Sequence, residues 1–458
     1  VTLYLLKKGV PIPRAGWFWL AVVVLTGVSF SLWSNNGLEP WRNMFLFLSA
    51  VYWIIIATGL PLLGKTSNWL PLDGINALFI IPFRNFGCQY QSLAFLGRNK
   101  KSAVGKIFSI VLGLYLALVV AAMVIPLLME ADSGGFAQIT AGIRTFFQGI
   151  EEEIAQLILQ AILAIPIAAY LFGLVAGSAH KRGCADFREE DISKTLSAFR
   201  LLPRATVYTL LGLLCTLYVV FIGSQVPYFF SPFAGERPEG WLVYSEYARK
   251  GFFELCGIAA INLTVLTGAN LFVKKEGRGT LALKVLNSFL ALLTLVLIAT
   301  AFGKMVLYIG AYGLSMRRLL PCFFMVFLAF VYGGIIALQK WQFSIVRLAA
   351  GLGVVILCTL CLANPDSFVA RYNAERYLSG SLQNFDTNIL YRSGPAGVDA
   401  ALKVYRKTND PVLQQELKAY LLTQRERAQK SLGKSEDNLE KARARQKTLE
   451  FVEDRQNR

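Results

Sequence analysis

The chain has 458 residues, of which 55% are apolar and only 16% charged, with a mean hydropathy of +0.49 and a formal net charge of +17. A soluble domain carries roughly 25% charged residues, so this much apolar surface excludes an ordinary soluble globule and points to a chain that crosses a membrane many times. The single histidine, His180, argues against histidine-based metal sites or acid–base chemistry in the membrane, and the positive charge reads as basic loops beside anionic lipid rather than nucleic-acid binding.

Nine apolar runs are long enough to span as helices: about 16–33, 43–63, 103–129, 153–178, 205–229, 251–273, 281–310, 318–338 and 344–363. Each supplies the ~20 residues that cross ~30 Å of hydrocarbon. The alternation of a membrane barrel is not seen. The expected fold is therefore an all-α polytopic bundle over 1–364, followed by a helical tail over 365–426 and a charged, frayed or disordered end over 427–458. With the amino terminus placed inside, the inner segments carry 20 lysines and arginines and the outer loops 7. That bias sets the amino terminus in the cytoplasm and, for nine spans, the carboxy-terminal tail outside the cytoplasmic membrane.

Between the second and third runs, residues 69–83 are apolar but too short to cross, and Pro71 and Pro82 bracket them. A short helix packed on the inner floor of the bundle is expected, ahead of a re-entrant one. Residues 136–150 put Phe136, Ile139, Ile143, Phe146, Phe147 and Ile150 at helical spacing, which predicts an amphipathic helix on the outer leaflet. Pro166 should kink the fourth span. His180, Lys181 and Arg182 close its inner end, where the helix dipole favours cations. The seven cysteines fall mostly in apolar runs, including Cys358 and Cys361, and read as packing residues rather than as a disulfide framework or zinc site.

The outer segment before the sixth span sets Trp241, Tyr244 and Tyr247 on one helical face, with Glu246 and Arg249 spaced to pair. These five residues form the candidate outer partner surface. Two charges lie inside spans, where each needs a partner or a task. They are Glu254 in the sixth and Lys304 in the seventh, at similar depth on antiparallel neighbours. With Asn262 and Asn287 they make either a polar pocket open to the outside or a structural ion pair, the pair being favoured.

In the tail, Asn364-Pro365-Asp366 stops the ninth span. Stripes of Val398, Ala401, Leu402 and Tyr405, then Leu413, Leu417, Tyr420 and Leu421, predict helices over 397–408 and 411–426, with Asp410 as a cap. The last thirty-odd residues are charged, and a solvated tail is favoured there over a basic run touching anionic envelope polymers. No phosphate-binding GxxxxGK[ST] motif occurs. Carboxylate pairs such as Glu130 with Asp132 are too common to signal catalysis, so neither an enzyme nor a cofactor is expected.

The segment Tyr244–Leu255 followed by Ile261–Leu263, together with Ile81–Phe86, Ala311–Leu314, Asn364–Asp366 and Ala370–Tyr377, resembles recurring pieces of the bacterial membrane family known as domain of unknown function 4173 and its close relatives. The resemblance implies a polytopic envelope protein with no agreed activity. The favoured role is a non-enzymatic scaffold or sensory component that contacts membrane lipids and an envelope protein, with no nucleic acid. The alternative is a transporter or lipid-handling protein with a cavity between the sixth and seventh spans.

Overall fold

The computed structural model describes residues 1–7, 9, 11–96, 152–185, 189–224, 244–274, 280–432 and 437–456, with single positions 110, 113, 117 and 124. In chain order the helices are α1 (Thr2–Lys7), α2 (Arg14–Leu32), α3 (Glu39–Ala57), α4 (Leu70–Ile75), α5 (Ile81–Arg84) and α6 (Cys88–Leu96). They continue with α7 (Glu152–Ala179), α8 (Glu189–Ala198), α9 (Arg204–Ser224), α10 (Tyr244–Phe272), α11 (Thr280–Tyr312), α12 (Met316–Leu338) and α13 (Ile345–Leu362). The last five are α14 (Pro365–Leu378), α15 (Thr387–Ser393), α16 (Val398–Lys407), α17 (Pro411–Lys430) and α18 (Leu439–Gln456). The fold is an all-α bundle, as the apolar runs require.

Among the described residues, seven helices are long and apolar enough to cross a membrane: α2, α3, α9, most of α10, α11, α12 and α13. They coincide with seven of the nine expected runs. The fourth run is α7, whose apolar stretch is Leu163–Ala179. The third run falls almost wholly outside the described residues, as does the helix expected over 136–150.

The chain divides into two units, one of residues 1–13, 54–64 and 71–186, the other of 14–53, 65–70 and 187–458. In the first, the short apolar stretch after Pro71 continues as a π-helical turn over Asn76–Ile80 and runs into α5, which packs on α7. The approach is close because α7 presents glycines one turn apart. A Cβ on Gly173 would stand 2.8 Å from the Pro82 carbonyl oxygen, and one on Gly177 would collide with the Asn85 amide. Asn85 donates to the Ile81 carbonyl at 2.9 Å and to the Arg182 carbonyl at 2.7 Å, and the Tyr170 hydroxyl donates to the Leu78 carbonyl at 3.0 Å. The short helix after Pro71 thus packs closely on α7.

The second unit holds two apolar cores. In the bundle core α10 packs on α11, α11 on α9 and α12, and α12 on α13. Leu211, Leu290, Ala291, Leu297 and Tyr332 are fully buried there. The second core belongs to α14–α18, where Ala374, Leu390, Val404, Leu417 and Tyr420 are fully buried. Both helices expected in the tail are present, and Asp410 caps α17 by accepting from the Val412 and Leu413 amides. The end of the chain departs from expectation. Residues 439–456 are not frayed: they form α18, which packs Ala444 and Phe451 into the same core. Two of its charges are paired, Lys447 with the distant Asp399 at 2.5 Å and Arg445 with the nearby Asp437 at 2.9 Å.

Candidate functional site

A buried polar cluster at the ends of the spans joins this helical domain to the hairpin of α2 and α3. The local chemistry starts with two asparagines. Asn35 and Asn364 both hold positive φ, 46° and 50°, which asparagine tolerates better than most residues. Each sits just past the end of a long apolar helix. The Asn35 amide donates to the Cys361 carbonyl at 2.9 Å, and the Trp33 indole to the Leu362 carbonyl at 3.0 Å, so the exposed carbonyls that end α13 find donors on the α2–α3 turn. Asn364 caps α14, its side-chain oxygen accepting from the Ser367 amide at 3.2 Å.

Three buried charges meet here. Arg42 is 4% exposed and donates to the Trp33 and Ser34 carbonyls at 2.9 Å and to Ser29 at 3.3 Å, with its guanidinium 3.9 Å from the centre of the Phe30 ring. Asp366, 1% exposed, accepts from the Gly37 amide at 2.9 Å. Gly37 is required at that point: a Cβ would stand 2.5 Å from Met316 Cγ and 2.8 Å from Asp366 Oδ1. Glu440, at the start of α18, accepts from the Ser34 amide at 2.9 Å and from the Asn364 amide group at 2.5 Å. Burial pushes the Asp366 carboxyl up to about 6, against the opposing pull of its Gly37 hydrogen bond and with the Glu440 charge adding to the rise. Burial also raises Glu440, against its bonds to Ser34 and Asn364 and the charge of Arg42. A single guanidinium therefore serves two carboxylates.

A second seam lies beside it. Asn373 of α14 makes a two-way pair with Leu314, accepting from its amide and donating to its carbonyl, both at 2.7 Å, and Arg376 donates to the Ile309 carbonyl at 3.1 Å. The domain is thus fastened to the turn between α2 and α3, to the turn between α11 and α12, and to the end of α13.

The residues singled out within the spans are placed as follows. Asn262 is fully buried and accepts from the Tyr218 hydroxyl at 2.8 Å while donating to the Thr294 hydroxyl at 2.9 Å. Tyr332 donates to the Ala259 carbonyl at 2.5 Å. One turn of α10 is thereby tied to α9, α11 and α12. Asn287 donates to Asn270 at 3.0 Å, a separate pair nearer the other end of α10. Lys304 is fully buried, and Glu254 is exposed on the adjoining helix, acting on it as an opposing charge. Close ion pairs are found in the carboxy-terminal domain, between Lys403 and Glu375, Arg445 and Asp437, and Lys447 and Asp399. Tyr244, Glu246, Tyr247 and Arg249 lie on the first two turns of α10, and Trp241 is outside the described residues. His180 is exposed at the end of α7, its ring 3.0 Å from the Tyr4 hydroxyl.

The junction itself was not expected. Its outward signs were an arginine, Arg42, at the mouth of an apolar run, and an Asn-Asn-Gly turn. Among the described residues no group of three or more histidine, cysteine or acidic side chains is placed to hold a metal.

Residues 20–404 match the family described as Domain of unknown function (DUF4153), and the chain belongs to that family. The match is to a family of unknown function over most of the chain, as the resemblance implied, but it does not support the number 4173. No curated protein and no solved structure matches the chain.

Proposed function

We propose that this member of the DUF4153 family is a membrane-held scaffold, or the receiving part of a sensor, that presents its carboxy-terminal helical domain to an envelope partner. The observation that carries the reading is the junction: Glu440 and Asp366 bind the α2–α3 turn, and Asn373 and Arg376 bind the end of α11 and the turn after it, so the domain is fastened to the span ends instead of being left on a tether. A domain held in this way transmits position and force between membrane and partner. Kinship with the 4173 family, through the segment around Tyr244, is part of the same proposal, as is residence in the bacterial cytoplasmic membrane with the amino terminus inside and the domain outside.

The test uses the full chain in native membranes. A photo-reactive residue at Val412 or Leu432, which are 65% and 64% exposed, is expected to capture one reproducible protein. Glu440→Ala should reduce that capture by freeing the domain, and so should Glu246→Lys with Arg249→Glu on α10. Absence of a reproducible partner, or capture indifferent to all these changes, overturns the scaffold reading. Orientation is checked separately. Lys430→Cys should react with an impermeant thiol reagent on intact protoplasts, while Glu190→Cys is protected until lysis; the reverse order places the domain inside.

A further inference from the structure

A cavity of about 300 Å³ opens beside the junction, at the low end of the roughly 300–1,000 Å³ range of ligand sites. Its position is set by the two helices that end beside it. Trp33 directly follows α2, Ala363 directly follows α13, and both residues line the cavity. Both helices are long and apolar enough to cross a membrane. The cavity thus opens at the ends of two candidate spans, and tryptophan is enriched at such span ends, where the headgroups lie. Phe368, 44% exposed, stands on the same rim.

The lining is cationic once its internal bonds are counted. Lys447 is held by Asp399, and Glu440, which accepts from Ser34 and Asn364, offsets one of the two remaining cations, so one positive charge is left over. Arg371 of α14 and Arg443 of α18 also line the cavity, and neither has a hydrogen-bond or ion-pair partner among the described residues. Both arginines are exposed, so two guanidiniums unpaired among the described residues belong to the lining of one small, solvent-open space. A neighbouring opening of about 250 Å³, lined by Asp366, carries Arg317 and Arg392 in the same condition. Guanidinium pairs of this kind match the oxygens of a phosphoryl group, which they bind in bidentate fashion.

We propose that the cavity beneath the carboxy-terminal domain binds a phosphoryl group between Arg371 and Arg443. The chemistry is shared by an anionic phospholipid headgroup and by free phosphate. Bound there, the group bridges α14 to α18 and so couples the last helix to the lipid surface. This assignment does not rest on the scaffold reading and stands or falls on its own.

The full chain is placed in nanodiscs of phosphatidylcholine with or without phosphatidylglycerol, and the retained lipid is read by native mass spectrometry. The wild-type protein is expected to retain phosphatidylglycerol over phosphatidylcholine. Arg371→Gln with Arg443→Gln should weaken that retention at least tenfold, the scale of one lost charged hydrogen bond. Arg371→Lys with Arg443→Lys keeps the charge but not the fork, and should fall between the two. Lys418→Gln, on the exposed side of α17, should leave retention unchanged. Displacement of the lipid by inorganic phosphate alone identifies free phosphate as the occupant; no displacement identifies the headgroup. Equal retention by the wild type and the glutamine pair, or equal loss in Lys418→Gln, overturns the site. A melting temperature that rises with phosphatidylglycerol in the wild type and not in the lysine pair gives a second readout, should the glutamine pair fail to fold.

Discussion

Leu211, Leu290 and Leu297 in the bundle and Leu390, Val404 and Leu417 in the carboxy-terminal domain are all buried beyond the reach of solvent. Their helices differ on the opposite side. In the bundle the outward faces carry Leu213, Val220, Ile261 and Leu281, each more than half exposed, because lipid is as apolar as the core. In the domain the outward faces carry Lys403, Glu416 and Lys418. Burial alone therefore gives the bundle no preference between a neighbouring helix and a lipid tail. Its specificity comes from few hydrogen bonds, such as those of Asn262 to Tyr218 and Thr294. The domain is driven by burial and merely trimmed by its caps and ion pairs. One polypeptide thus follows two sets of rules, and the junction is where they meet.

The sharpest way to break the comparison is to place a charge in the water-driven core. Leu417→Asp buries an unpartnered carboxylate and should cost about 5 kcal/mol. The expected result is rapid proteolysis of residues beyond 378 while the bundle still extracts and migrates as a folded membrane protein. Next in size is Glu440→Ala. It leaves the Ser34 amide and Asn364 side chain without acceptors and removes one counter-charge from Arg42, a loss of about 3–4 kcal/mol. Protease sensitivity should rise at the turn between α17 and α18, with the bundle melting transition unmoved.

The third prediction uses pH. Asp366 titrates near 6 in the folded chain against an ordinary 3.8, and Glu440 is raised in the same direction. The folded state therefore binds more protons than the unfolded one in that window. The stabilisation is fully present below about pH 4 and is lost as pH rises through about 6. For Asp366 the difference amounts to at most ~3 kcal/mol. Melting of the domain followed across pH ~4 to ~7 should fall with rising pH, and Asp366→Asn should flatten the curve. A bundle transition that moves in parallel would mean that the two regions do not unfold separately. The smallest effect is expected in the membrane. Asn262→Leu should cost only about 1 kcal/mol, in keeping with hydrogen bonds between membrane helices, and in a double-mutant cycle with Tyr218→Phe the coupling should be of that order.

The bundle was readable from apolar run lengths, and α16 and α17 from stripes at helical spacing, because those signals are local. Asn364-Pro365-Asp366 was readable as a stop for the same reason. The helix α18 was not, since what holds it is the packing of Ala444 and Phe451 into a core built elsewhere, with an exposed pair of Lys447 and Asp399, 48 residues apart, adding little. Within the spans Asn262 and Asn287 stood out as polar residues in apolar runs. Their partners Tyr218 and Thr294 carry no such signal, tyrosine and threonine being ordinary in such runs, and nothing local pairs Asn287 with Asn270. The junction was the least legible part. Glu440 lies 406 residues from Ser34, and no spacing rule links a carboxylate in a charged tail to a backbone amide in the first turn between spans.

That separation also sets an order of events during synthesis. The turn holding Ser34 and Arg42 emerges from the ribosome early, and Glu440 follows about 400 residues later, which at roughly 5–20 residues per second takes on the order of 20–80 s. Through that interval the first hairpin sits in the bilayer with its Ser34 amide waiting for its acceptor. A chain that stops before α18 never closes the clasp. Closure by α18 thus reports to the α2–α3 turn that the chain between them has been made, and proteases that patrol the membrane would meet an open junction in every product cut short before α18.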